Sequence, residues 1–165
     1  MSLWIKQKVF SWGDRFAVKD DAGNDRYDVQ GEVFSWGKKL HVYDSFGNEA
    51  AFIQQKVFSF LPRFFVFQNG IQVAEIVKEF TFFKPVYTIL GPGWETEGDF
   101  LSHDYRIDRN GETLVTIRKE WFTWGDSYLL DVRNPEDEVL ALAVVLAIDC
   151  VIQSQSNSGS RGAFT

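Results

Sequence analysis

Ten consecutive residues, Val139–Ile148 (VLALAVVLAI), carry no polar side chain. As a helix this run makes about three turns, apolar on every face, and such a helix must be enclosed on all sides. The signals just upstream agree with a helix start. Asn134 suits the N-cap, Pro135 suits the first helical position, and Glu136, Asp137 and Glu138 set negative charge at the positive end of the helix dipole. Ala141, Ala143 and Ala147 keep the rod slim. A membrane span needs about 20 such residues. Ten followed by Asp149 are therefore read as a buried core helix, over about residues 135–154.

What surrounds that helix is written in the rest of the chain. VFSWG stands at Val9–Gly13 and again at Val33–Gly37, and the near copy VFSFL at Val57–Leu61, each 24 residues after the last. Ala22-Gly23-Asn24 and Phe46-Gly47-Asn48 keep the same interval, while Asn69-Gly70 and Asn110-Gly111 are strong hairpin-turn dipeptides. Lys78–Phe83 and Lys119–Leu130 are looser copies of the corner phrase. Between the turns lie short segments rich in Val, Ile, Phe, Tyr and Trp, in a chain that is 16% aromatic. Phe16 and Val18, Leu40 and Val42, and Phe65 and Phe67 recur at the strand period of two. The pattern predicts about twelve strands, near 4–12, 15–20, 26–35, 39–44, 49–59, 63–68, 71–79, 85–90, 94–101, 104–108, 112–122 and 127–133. The fold class is thus mostly β: an antiparallel β-barrel of about twelve strands enclosing one hydrophobic C-terminal helix. One domain is expected over 1–155, with a disordered polar tail at 156–165.

Several stretches together resemble the LURP-one-related family. They are Tyr27–Gly31, Gly98–Leu101 leading into Asp104–Ile107, Arg109–Glu112, Thr116–Lys119, Gly125–Tyr128 and Ala143–Asp149. The likeness runs from about Lys6 to Ile152, and the compact length is closer to bacterial members than to plant ones. It implies the fold of the tubby C-terminal domain, shared with phospholipid scramblases: a barrel around a central hydrophobic helix. Tubby domains bind phosphoinositides through basic side chains on the barrel exterior, and this chain has no residue-by-residue counterpart of that site. It also lacks the cysteine-rich and membrane-inserting features of scramblases.

Composition narrows the function classes. The net charge of −6 argues against a broad nucleic-acid footprint. A single cysteine, Cys150, allows no intrachain disulfide and, with no leader-like apolar run near the start, fits a cytoplasmic protein, including one peripheral at a membrane. Cys150 itself is expected to be a small core residue. Two separated histidines and one cysteine supply no metal-ligand spacing, so neither metal nor cofactor is expected. Ser102-His103-Asp104 invites a hydrolase reading, but neighbouring strand residues point to opposite faces, and His103 is expected in a surface loop or strand. His41 is expected on the outer face, solvated, and Asp149 near the barrel mouth, bonded to strand-end amides or an arginine.

If the repeated corners gather at one barrel end, Arg15, Lys38, Lys39 and Arg63 would form a cationic rim beside Trp12 and Trp36. Amphipathic Trp beside Lys or Arg suits lipid headgroups or a protein partner. The sequence therefore points to a non-catalytic binding or scaffold module, recognising anionic lipid headgroups or a protein through that rim. The alternative is an enzyme with an exterior pocket near His103, Asp104 and Tyr105.

Overall fold

The structure, a computed structural model, describes residues 1–6, 15–33, 35–120 and 127–159, with backbone only from 155. Twelve strands follow in order: β1 (Ser2–Lys6), β2 (Arg15–Lys19), β3 (Asp25–Gly31), β4 (Lys39–Asp44), β5 (Glu49–Gln55) and β6 (Arg63–Gln68), then β7 (Ile71–Lys78), β8 (Tyr87–Leu90), β9 (Glu95–Asp99), β10 (Asp104–Arg109), β11 (Glu112–Glu120) and β12 (Ser127–Val132). They form one antiparallel meander in which the first strand also pairs with the last, giving the order β8-β7-β6-β5-β4-β3-β2-β1-β12-β11-β10-β9. The β1–β12 register runs from Ser2↔Asp131 to Lys6↔Ser127. Curvature brings β8 and β9 side by side, and the Thr96 hydroxyl donates to the Tyr87 carbonyl at 2.7 Å across this seam. The result is a nearly closed barrel.

Alternation selects the interior. Leu3, Ile5, Phe16, Val18, Leu40, Val42, Ile53, Val66, Ile76, Ile107, Ile117 and Leu130 face inward. On β6 the inward pair is Phe64 and Val66. Phe65 and Phe67 face outward, where Phe67 packs on Phe52 with ring centroids 5.9 Å apart. The strands end before the corners, β3 at Gly31 and β5 at Gln55, short of the predicted 35 and 59.

The 24-residue repeat has an atomic counterpart in its turns. Asp20 Oδ1 accepts from the backbone N–H groups of Ala22 and Asn24, and its other oxygen from the Asn24 amide. Asp44 makes the same three bonds to Phe46 and Asn48. Gly23 and Gly47 both sit at φ +83°, a conformation nearly free of penalty only for glycine. At Asn69-Gly70 and Asn110-Gly111 both residues of each pair have positive φ, as the tightest hairpins require.

A 3-10 turn at Pro135–Asp137 leads into helix α1 (Glu138–Gly159), which fills the barrel. Asn134 caps through its backbone carbonyl, which accepts from Asp137 N, while its side-chain amide donates to the Asp137 carboxylate. The expected side-chain cap is therefore replaced. Ala141 through Ile148 are fully buried on every face. The helix continues to Gly159, beyond its expected end near 154 and into the segment expected to be disordered; residues 160–165 lie outside the described residues. No helix among the described residues is long and apolar enough to cross a membrane.

Candidate functional site

Alternating strand directions put the two kinds of connection at opposite ends of the barrel. The Asp20 and Asp44 turns lie at one end together with the start of α1, where Tyr27 (2.5 Å) and Arg26 (3.1 Å) both donate to the buried Glu138 carboxylate. The repeated corners, residues 32–38, 56–62 and 79–86, lie at the other, with the loop 100–103 and the far half of the helix.

This corner end carries the predicted rim. Arg15, Lys39 and Arg63 each begin a strand at 24-residue spacing, and each holds a carboxylate: Arg15–Asp28 at 2.9 Å, Lys39–Glu32 at 3.1 Å and Arg63–Glu75 at 2.7 Å. The Lys38 backbone N–H donates to the Gln55 side chain. Trp36 projects into solvent, whereas Trp12 lies outside the described residues. Three of the four rim cations are thus already neutralised.

The corners also expose a set of aromatic side chains. Trp36, Phe58, Phe60, Phe80, Phe82 and Phe83 are 70–99% exposed, on three successive loops at one end. Phe58 holds φ at +61°, a backbone region that bulky side chains avoid, at a cost on the order of 1–3 kcal/mol. Two exposed lysines, Lys56 and Lys84, stand among these rings, and neither has an ion-pair partner among the described residues. A shallow cleft of about 250 Å³ between Lys56, Phe58, Ser59, Phe60 and Gly37 lies between two of the corners. The periodic Phe and Trp of the corner phrases are the signal of this surface in the sequence.

Beneath the corner end lies a buried polar cluster that corrects two expectations. His103 is 4% exposed rather than on the surface, and its Nε2 lies 2.9 Å from Asp149 Oδ1. Asp149 is bonded not to strand-end amides or arginine but to His103 and to the Tyr128 hydroxyl, which donates to its second oxygen. An aspartate accepts from both, so the imidazole carries hydrogen on Nε2. Its ring stacks on Tyr128 with centroids 4.4 Å apart. Burial, then the Asp149 charge, holds the Tyr128 hydroxyl protonated far above the usual phenol range. Burial also pushes the Cys150 thiol up to about 12, as suits an inert core cysteine. His103 and Asp104 do not converge: the imidazole points inward and Asp104 is exposed, so the exterior pocket of the enzyme alternative has no histidine to use. No group of three or more metal-ligating side chains is present among the described residues.

His41 also departs from expectation. It is half-buried against Phe52 (centroids 4.7 Å) and clamped between Glu49 (2.6 Å from Nδ1) and Glu32 (2.9 Å from Nε2). Burial lowers its pKa, but the two bonded carboxylates outweigh burial and raise it above 6.5. A histidine raised in the fold contributes its full stabilisation below about pH 6.5 and loses it as pH climbs through the raised value. The melting temperature is expected to fall between pH 6 and pH 8. His41→Gln should flatten that fall by an amount equivalent to about 0.5–1 kcal/mol, as for a partly exposed ion pair. Thermal scans of both proteins at the two pH values check this.

Comparison with known proteins agrees with the architecture. The family model described as LURP-one-related matches residues 1–149. Uncharacterized protein YxjI of Bacillus subtilis (strain 168) is 33% identical over 157 residues, covering 95% of this chain and 97% of that protein. An X-ray structure of a protein from Arabidopsis thaliana shares the fold with a TM-score of 0.63 at 16% identity, over 90% of this chain and 89% of the plant chain. On its own strands, helix and matched length, the chain belongs to the LURP-one-related family.

Proposed function

We propose that the protein is a non-catalytic binding module whose corner end seats in the headgroup region of anionic membranes. The observation that carries this reading is the set of six exposed aromatic side chains on three corner loops at one end of the barrel. Exposed apolar groups in such number mark interaction surfaces. Lys56 and Lys84 among them supply the cationic partners for lipid phosphates that Arg15, Lys39 and Arg63, already paired, supply less readily. The strained Phe58 backbone supports the same reading, because strain that presents an apolar ring to water has no folding benefit.

The test is co-sedimentation with phosphatidylcholine vesicles, with and without phosphatidylserine, at low and physiological salt. Binding is expected to the anionic vesicles and to weaken with salt. Burying a Phe side chain is worth roughly 1.5–3 kcal/mol, so Phe58→Ser/Phe60→Ser should cut binding at least tenfold, and Lys56→Glu/Lys84→Glu should abolish the preference for anionic lipid. Phe58→Gly should bind less while melting no lower than the parent, since glycine relieves the φ strain. Absence of binding at low salt would retire the lipid reading in favour of a protein partner.

A further inference from the structure

Three buried polar atoms close to Asp149 have no partner among the described residues: the hydroxyls of Tyr87 and Tyr105 and Nδ1 of His103. They belong to one neighbourhood. Tyr87 packs edge-on against Phe100 with centroids 4.8 Å apart, and Phe100 packs against Tyr105 at 4.7 Å. His103 closes the same loop by donating its backbone N–H to the Phe100 carbonyl at 3.3 Å. The Asp149 charge is felt at both tyrosine hydroxyls, second to burial in raising them, and the Tyr87 hydroxyl in turn acts on Tyr105. Buried polar atoms in folded proteins are nearly always hydrogen-bonded, to protein or to ordered water.

From this juxtaposition we propose that the helix end of the barrel is a hydration site, in which ordered water bridges Tyr87, Tyr105 and His103 beside Asp149. The chemistry of the set selects the guest. The two phenols offer hydrogens, and Nδ1 of His103, whose Nε2 is engaged by Asp149, offers a lone pair or a hydrogen. Water both donates and accepts, so it serves all three. An anion is opposed by the Asp149 carboxylate, and a metal ion would find a single carboxylate among phenols.

The sign of a stability change decides the matter. If the hydroxyls are bonded to water, Tyr87→Phe and Tyr105→Phe each remove a satisfied hydrogen bond and lower the melting temperature. If they are bare, each substitution removes an unsatisfied buried group and leaves the melting temperature unchanged or raised. Tyr128→Phe, which loses a bond to Asp149, sets the scale of a genuine loss. Magnetisation transfer from water to protons around the Tyr87 and Tyr105 rings in the unsubstituted protein is the independent reading. Lower melting in both variants with long-lived water signals supports the site. Unchanged or higher melting, or no such signals, overturns it.

Discussion

Replacing Asp149 with alanine is expected to lower the unfolding free energy by about 3–5 kcal/mol, because His103 Nε2–H and the Tyr128 hydroxyl both lose their acceptor while remaining buried. For a chain of this size that corresponds to a fall in melting temperature of roughly 6–20 °C. Asp149→Asn keeps one carbonyl oxygen and should lose less. The difference arises from position. Asp149 stands on the helix, His103 in the loop between β9 and β10, and Tyr128 at the start of β12, so one carboxylate joins three elements that share no ladder. A loss below about 1 kcal/mol in the alanine variant, measured by denaturant titration, would mean that the cluster does not pin the helix.

The second large effect is expected inside the barrel. Leu142 is fully buried, and Leu142→Ala should cost about 2–5 kcal/mol, the transfer term plus the cavity left between helix and sheet. Leu140 provides the comparison, being only partly buried against the same core. Leu140→Ala removes the same atoms and should cost clearly less. Equal losses at the two sites would contradict a helix enclosed most tightly along its middle. Unfolding midpoints and slopes for both variants give the comparison, and an unchanged slope identifies a change in stability alone.

How far these sites can be foreseen in the sequence depends on how local their causes are. The helix and the hairpin turns are local. VLALAVVLAI can be satisfied only by enclosure, and the Asp20 and Asp44 turns are written in five successive residues each. The equal spacing of Arg15, Lys39 and Arg63 likewise placed them at one end. Their neutralisation was not foreseeable, because Asp28, Glu32 and Glu75 meet them through strand register and side-chain reach. The same holds for His41, whose two glutamates approach from opposite directions along the chain. His103 and Asp149 are 46 residues apart and meet only because the barrel closes around the helix. A histidine between serine and aspartate is here turned away from the surface. His103 has φ +52°, so the chain reverses at this residue and turns its ring inward.

The pairing of β1 with β12 has a consequence for how the chain reaches this state. The Met1 amino group donates to the Val132 carbonyl at 2.9 Å, and Val132 N–H donates to the Met1 carbonyl at 2.8 Å, so the first and last strands are stitched at their ends. During synthesis β2 through β8 can pair with their neighbours as each emerges. The opening strand can meet β2 early, but it meets β12 only after the ten strands between them have been made, and the rod that fills the lumen follows all twelve strands. Until α1 emerges, inward side chains such as Val18, Val42 and Val66 line an unfilled interior. Contacts of such long sequence separation slow folding and leave apolar surface uncovered in the meantime. The period of greatest vulnerability to aggregation is therefore the interval before α1 follows β12.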